Sequence, residues 1–87
     1  MSAERPLRFA PGIRLRRETN GAYLMIPEGV LELSPTAAAI LDLLDGERTT
    51  DDIVGELEHL FDADPADLRA DVAQLCATLR ERGFLRE

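Results

Sequence analysis

Pro27-Glu28-Gly29-Val30-Leu31-Glu32-Leu33-Ser34-Pro35-Thr36-Ala37 decides the fold, because a turn, a strand and a helix start follow one another within it. Pro27-Glu28-Gly29 is turn chemistry. Val30 to Leu33 mixes apolar and acidic side chains with period two, as a half-buried strand does. Ser34-Pro35 then opens a helix. The Ser34 hydroxyl is placed to accept from an early backbone N–H, and Pro35 at the first helical position gives up only a donor that lacks a partner. Before this stretch the chain reads as sheet, and after it as helix.

Working outward toward the N-terminus, Ala22-Tyr23-Leu24-Met25-Ile26 is nearly all apolar and reads as a covered, central strand. Glu18-Thr19-Asn20-Gly21 is the hairpin tip, with Asn20-Gly21 suited to positive φ. Ile13-Arg14-Leu15-Arg16-Arg17 alternates apolar and basic residues as a first strand. The result is a three-stranded antiparallel meander whose short third strand, Val30 to Leu33, lies at an edge with backbone groups free to pair. Residues 1–12 read as a loose arm ending in the turn dipeptide Pro11-Gly12.

Toward the C-terminus three amphipathic helices are predicted. The first runs from Pro35 to Leu44, with Ala37, Ile40, Leu41 and Leu44 on one face and Gly46 as its left-handed stop. Thr49 caps the second, Asp51 and Asp52 complement its dipole, and Ile53, Leu57, Leu60 and Phe61 form its buried stripe. Asp64-Pro65 opens the third and longest, whose stripe is Leu68, Val72, Leu75, Cys76 and Leu79 and whose stop is Gly83. Phe84-Leu85 folds back as a hydrophobic tail. Helices this short are marginal alone, so their stripes must bury one another and one face of the sheet. The expected architecture is α+β: a small three-stranded antiparallel sheet followed by a three-helix bundle, similar to a winged helix.

Composition narrows the function. The 87 residues suit one domain, spanning 1–87, and the 45% hydrophobic content argues against disorder. Neither a membrane-span-length apolar run nor a signal-peptide pattern is present, so the cytoplasm is the expected location. Residues 1–33 hold five Arg and four Glu, a net of +1, whereas residues 34–87 hold five Arg and thirteen acids, a net of −8. A chain of net charge −7 repels nucleic acid and anionic membranes, so neither is expected as a partner.

Little here points to catalysis. His59 is the sole histidine and Cys76 the sole cysteine, and they fall on different helices. Neither a His/Cys metal cluster nor a Cys–His pair can be built from them. The carboxylates between Asp42 and Asp71 lack the alternating ligands, central Gly and closing Glu of a calcium loop, and read as a solvated acidic face. The face of Asp51, Asp52 and Glu56 is a candidate docking surface for a basic partner. No phosphate loop, nucleophile elbow or zincin motif occurs, so the chain is expected to be a non-enzyme that needs no metal or cofactor.

Three non-enzymatic classes remain. A winged-helix DNA binder suits the architecture, but Arg69, Arg80 and Arg82 on its third helix are matched by Asp67, Asp71 and Glu81. An acidic carrier protein suits the size, but Ser34 lies between Leu33 and Pro35 as a cap, not in the Asp-Ser-Leu setting of an arm-bearing serine. A peptide-binding module uses the exposed edge: a guest adds a strand, its backbone supplying affinity and alternate side chains selectivity. Val30, Leu31, Glu32 and Leu33 then form the edge, with Leu31 and Leu33 on one side of the strand and Val30 and Glu32 on the other. Leu68, Val72 and Leu75 form the floor. Periodicity alone leaves open whether these apolar residues are groove or core.

Pro11-Gly12-Ile13-Arg14-Leu15-Arg16, Pro27-Glu28-Gly29 through Leu33-Ser34-Pro35-Thr36-Ala37, and Ile40-Leu41-Asp42-Leu43-Leu44-Asp45-Gly46 resemble the PqqD family, coenzyme PQQ synthesis protein D. Ile53-Val54 with Leu57, Asp71-Val72, and Leu79 with Gly83-Phe84-Leu85 extend the resemblance from about residue 6 to residue 86. It implies a peptide chaperone of the kind called a RiPP recognition element. Such proteins bind the ribosomal precursor peptide of pyrroloquinoline quinone and present it to a radical-SAM enzyme, which carries the iron–sulfur clusters and crosslinks a Glu and a Tyr. In related elements the leader peptide pairs with the third strand and packs on the third helix. Carried over by position, this implicates Val30, Leu31, Glu32 and Leu33, with Leu68, Asp71, Val72 and Leu75 on the helix. A recognition element of another peptide-modifying pathway is the alternative. A monomer and a homodimer are both compatible with the exposed edge.

Overall fold

The computed structural model describes residues 5–87, so the first four residues of the expected arm lie outside the described residues. The order of elements is β1 (Arg8–Phe9), β2 (Arg14–Glu18), β3 (Gly21–Ile26), β4 (Gly29–Leu33), α1 (Pro35–Asp42), α2 (Thr50–Leu60), α3 (Pro65–Glu81) and β5 (Leu85–Arg86). The meander β2-β3-β4 is antiparallel with β3 in the centre, and the three helices follow it, as the α+β reading requires.

Register gives the sheet two unlike faces. Leu15, Leu24 and Leu31 stand opposite one another across the strands, and Leu24 is fully buried beneath the helices. The alternate positions put Arg16 beside Tyr23 and Glu32, and Arg14 beside Met25 and Val30, on the outer face. Both hairpins close through two residues, Thr19-Asn20 and Pro27-Glu28. Asn20 does not take the positive φ expected of it; among the described residues only glycines do.

Side-chain caps start all three helices at the expected places. The Ser34 Oγ accepts from the Ala37 N–H at 3.1 Å. Thr49 Oγ1 accepts from the Asp52 N–H at 3.2 Å while the Asp52 carboxylate accepts from the Thr49 N–H at 3.0 Å, a reciprocal capping box. Asp64 Oδ1 accepts from the Ala66 N–H at 2.8 Å.

Helix ends depart further from expectation. α1 stops at Asp42, short of Leu44, because the Leu43 and Leu44 N–H groups turn back to the Ile40 and Leu41 carbonyls in a tightened last turn. Leu60 is 66% exposed and lies outside the core, whereas Val54 is buried. Leu60 is the last residue of α2, and the backbone turns extended directly after it, at Phe61.

The loose arm is the main correction. Leu7 is only 5% exposed, β1 pairs with β5 through Arg8↔Arg86 and Phe9↔Leu85, and the Ala10 N–H donates to the Phe84 carbonyl at 2.9 Å. Leu7 and Phe9 are apolar at alternate positions, so a strand puts both on the core side, where β5 supplies a pairing edge. The tail Phe84-Leu85 does fold back, with both side chains buried. One contiguous core joins Leu7, Leu24, Ile40, Leu41, Ile53, Leu57, Val72 and Phe84.

Candidate functional site

β4 pairs with β3 along one edge, and its other edge has no strand against it among the described residues. It runs directly into Ser34, which lines an open cleft of about 410 Å³. The start of α1 forms one wall, through Thr36, Ala37 and Ile40. The opposite wall is α3, through Asp71, Gln74, Leu75 and Thr78. Those four lie at i, i+3, i+4 and i+7, a single helical face. The α3 stripe of Leu68, Val72, Cys76 and Leu79 is buried in the core.

The residues expected to form the site divide accordingly. Asp71 and Leu75 line the cleft. Leu31 and Leu33 are half-buried on the inner face of β4 and pack against the core at the sheet edge. Leu68 and Val72, at 3% and 1% exposure, are core residues outside the cleft lining, not its floor. The reason is helical geometry: the apolar stripe is the face α3 turns toward the bundle. Val30, 55% exposed, and Glu32 lie on the outer sheet face. There Val30 shares a shallow depression with Arg16, Tyr23 and Met25.

Gln74 and Thr78 were missed by the apolar pattern, since polar residues on a helix ordinarily mark its solvent face. The spacing of Asp71, Gln74 and Thr78 around Leu75 was the available signal. Ser34, Ala37 and Ile40 were legible only as cap and core.

Electrostatically the cleft is simple. Asp71 is the one formal charge in its lining. His59 is exposed on α2 and outside the lining. Burial pushes the Cys76 thiol up, against a smaller opposite pull from Arg80, which favours the inert protonated form. Among the described residues no three His, Cys, Asp or Glu side chains group to hold a metal, and no helix is long and apolar enough to cross a membrane. The acidic face of α2 is partly engaged within the chain. Asp51 pairs with Arg69, and Asp52 closes the capping box. The arrangement offers an edge for backbone bonds, aliphatic surface beside it, and a few polar groups.

Fold and cleft together define a small winged-helix-like α+β domain with an open sheet edge. The family model of coenzyme PQQ synthesis protein D (PqqD) matches residues 21–85. A relative from Xanthomonas oryzae pv. oryzae, named PqqA binding protein, is 42% identical over 77 residues, covering 86% of this chain and 84% of its own. The chain belongs to the PqqD family. Among solved structures it is similar to the PqqD truncation of Methylobacterium extorquens PqqCD, described as a functional and stand-alone RiPP recognition element. The TM-score is 0.80 at 35% identity, over 93% of this chain and 88% of that one. Lasso peptide synthetase B1 complexed with the leader peptide also matches, with TM-score 0.80 at 25% identity, over 94% and 99% of the two chains.

Proposed function

We propose that this chain is a peptide chaperone in pyrroloquinoline quinone biosynthesis. It binds the ribosomal precursor peptide as an added strand on β4 and presents it to the pathway's radical-SAM crosslinking enzyme. One observation carries the reading: an unpaired strand edge runs straight into an open cleft walled by α3. The relative named PqqA binding protein and the similar synthetase complexed with a leader peptide support it.

On this reading β4 supplies backbone hydrogen bonds, and guest side chains alternate between the two faces of the extended sheet. Inward ones meet Leu31, Leu33 and Leu75 together with Asp71, Gln74 and Thr78. Outward ones lie beside Val30 and Glu32. Leu68 and Val72 act from beneath, by fixing α3. The precursor arrives disordered, gains strand structure here, and reaches the enzyme at a raised effective concentration. The reaction chemistry and its iron–sulfur clusters belong to the enzyme, and the place of action is the cytoplasm, where ribosomal peptides are made.

A titration of isotope-labelled protein with synthetic precursor peptide, followed by NMR, tests this. Shifts are expected to concentrate in residues 29–34 and 71–78. Leu31→Asp puts a carboxylate beside the guest backbone and is expected to weaken binding about tenfold or more. Because Leu31 also packs on the core, Thr78→Arg serves as a second variant that fills the cleft from an exposed position. Unchanged affinity in both folded variants refutes strand addition at this site.

A further inference from the structure

We propose that Asp71 selects a cationic side chain on the guest, so that the bound segment carries a lysine or arginine where it enters the cleft. The inference rests on the peptide-binding reading above and adds a chemical class to it. Asp71 is exposed on the cleft wall of α3, and the remaining walls are hydroxyl, amide or aliphatic groups.

Among the described residues no cation answers this carboxylate. One turn away along α3 stand Asp67, Leu68, Gln74 and Leu75, none of them basic. The arginines of α3 and its C-cap are committed elsewhere. Arg69 pairs with Asp51 of α2, Arg80 with Glu87 at 3.6 Å, and Arg82 lies 5.1 Å from the centre of the Phe84 ring. Among the described residues no hydrogen bond or ion pair holds the Asp71 side chain. A lone anion facing a binding cleft, in a chain of net charge −7, attracts a cation and rejects an acidic residue at the same place. Solvent-exposed pairing of this kind changes affinity by about twofold to fivefold. It therefore sets register and choice, while the strand edge supplies the bulk of binding.

Calorimetric titration of the full chain with the precursor peptide decides the matter. Each basic residue of the peptide is replaced by Gln in turn, against wild type and Asp71→Asn, at about 50 and about 300 mM salt. The expected result is that Asp71→Asn binds about twofold to fivefold more weakly at low salt and depends less on salt. One basic position of the peptide should show the same loss in wild type and no further loss in the variant. Equal binding by wild type and Asp71→Asn at both salt levels, or the same loss in both proteins at every basic position, overturns the proposal. Failure of the parent reading looks different. If wild type binds no precursor, or if Leu31→Asp and Thr78→Arg leave binding intact, strand addition falls and the role of Asp71 falls with it.

Discussion

At the scale of the residue, Asp45 shows how much one exposed side chain organises. Its Oδ1 accepts from the backbone N–H groups of Glu47 and Arg48, both at 2.9 Å, and its Oδ2 meets the Arg48 guanidinium at 2.8 Å. The two backbone donors, Arg48 first, hold its carboxyl below the ordinary value, with the Arg48 charge adding to them. A carboxyl lowered in the folded state stabilises the fold above its unfolded pKa of about 4, and that contribution fades as pH falls through the folded value. Asp45→Asn keeps the acceptor oxygen and removes the charge. The variant is expected to unfold at lower urea than wild type at pH 7, with the gap closing in strongly acidic solution. A gap independent of pH would show that geometry, not charge, is what Asp45 contributes. Asp71 is its opposite, a carboxylate with no partner among the described residues, which is why the one reads as structure and the other as recognition.

At the scale of the element, α3 carries two faces with two duties. Leu68, Val72, Cys76 and Leu79 bury it against the bundle, and Asp71, Gln74, Leu75 and Thr78 line the cleft. Its C-terminus fixes the tail. The Gly83 N–H donates to the Arg80 carbonyl at 3.0 Å and the Phe84 N–H to the Leu79 carbonyl at 2.9 Å, the paired bonds of a Schellman cap. Gly83 has φ +82°, with open space where a Cβ would stand, so a substitution there meets backbone strain alone. Gly83→Ala is therefore expected to lower stability by about 1–2 kcal/mol in urea unfolding. An unchanged midpoint would mean that Phe84 and Leu85 hold the tail without the cap. Helix starts were legible because caps are local chemistry: Ser34, Thr49 and Asp64 each bond a backbone N–H two or three residues away. Helix ends were less so. α1 closes in a tightened turn at Leu43 and Leu44, and in the connection that follows the Gly46 N–H donates to the Leu7 carbonyl at 3.2 Å, far off in sequence.

At the scale of the whole molecule, the first and last strands close on each other. The β1–β5 ribbon lies apart from the meander and seats Leu7, Phe84 and Leu85 in the core. Leu7→Ala is expected to destabilise the fold by about 2–5 kcal/mol. That is a large share of the roughly 4–13 kcal/mol usual for a domain of this length. Thermal unfolding measures it. A loss under about 0.5 kcal/mol would return the N-terminal segment to the status of a loose arm.

The sequence by itself determined the meander, its central and edge strands, the three caps and the family, because each depends on neighbours in the chain or on period-two and helical patterns. Tertiary structure alone decided which of the stripes on α3 is core and which is cleft, since a helix presents both and only its packing partners distinguish them. It also decided that Leu7 and Phe9 are bound. A two-residue strand has no signal of its own, and this one exists only because β5 is brought beside it.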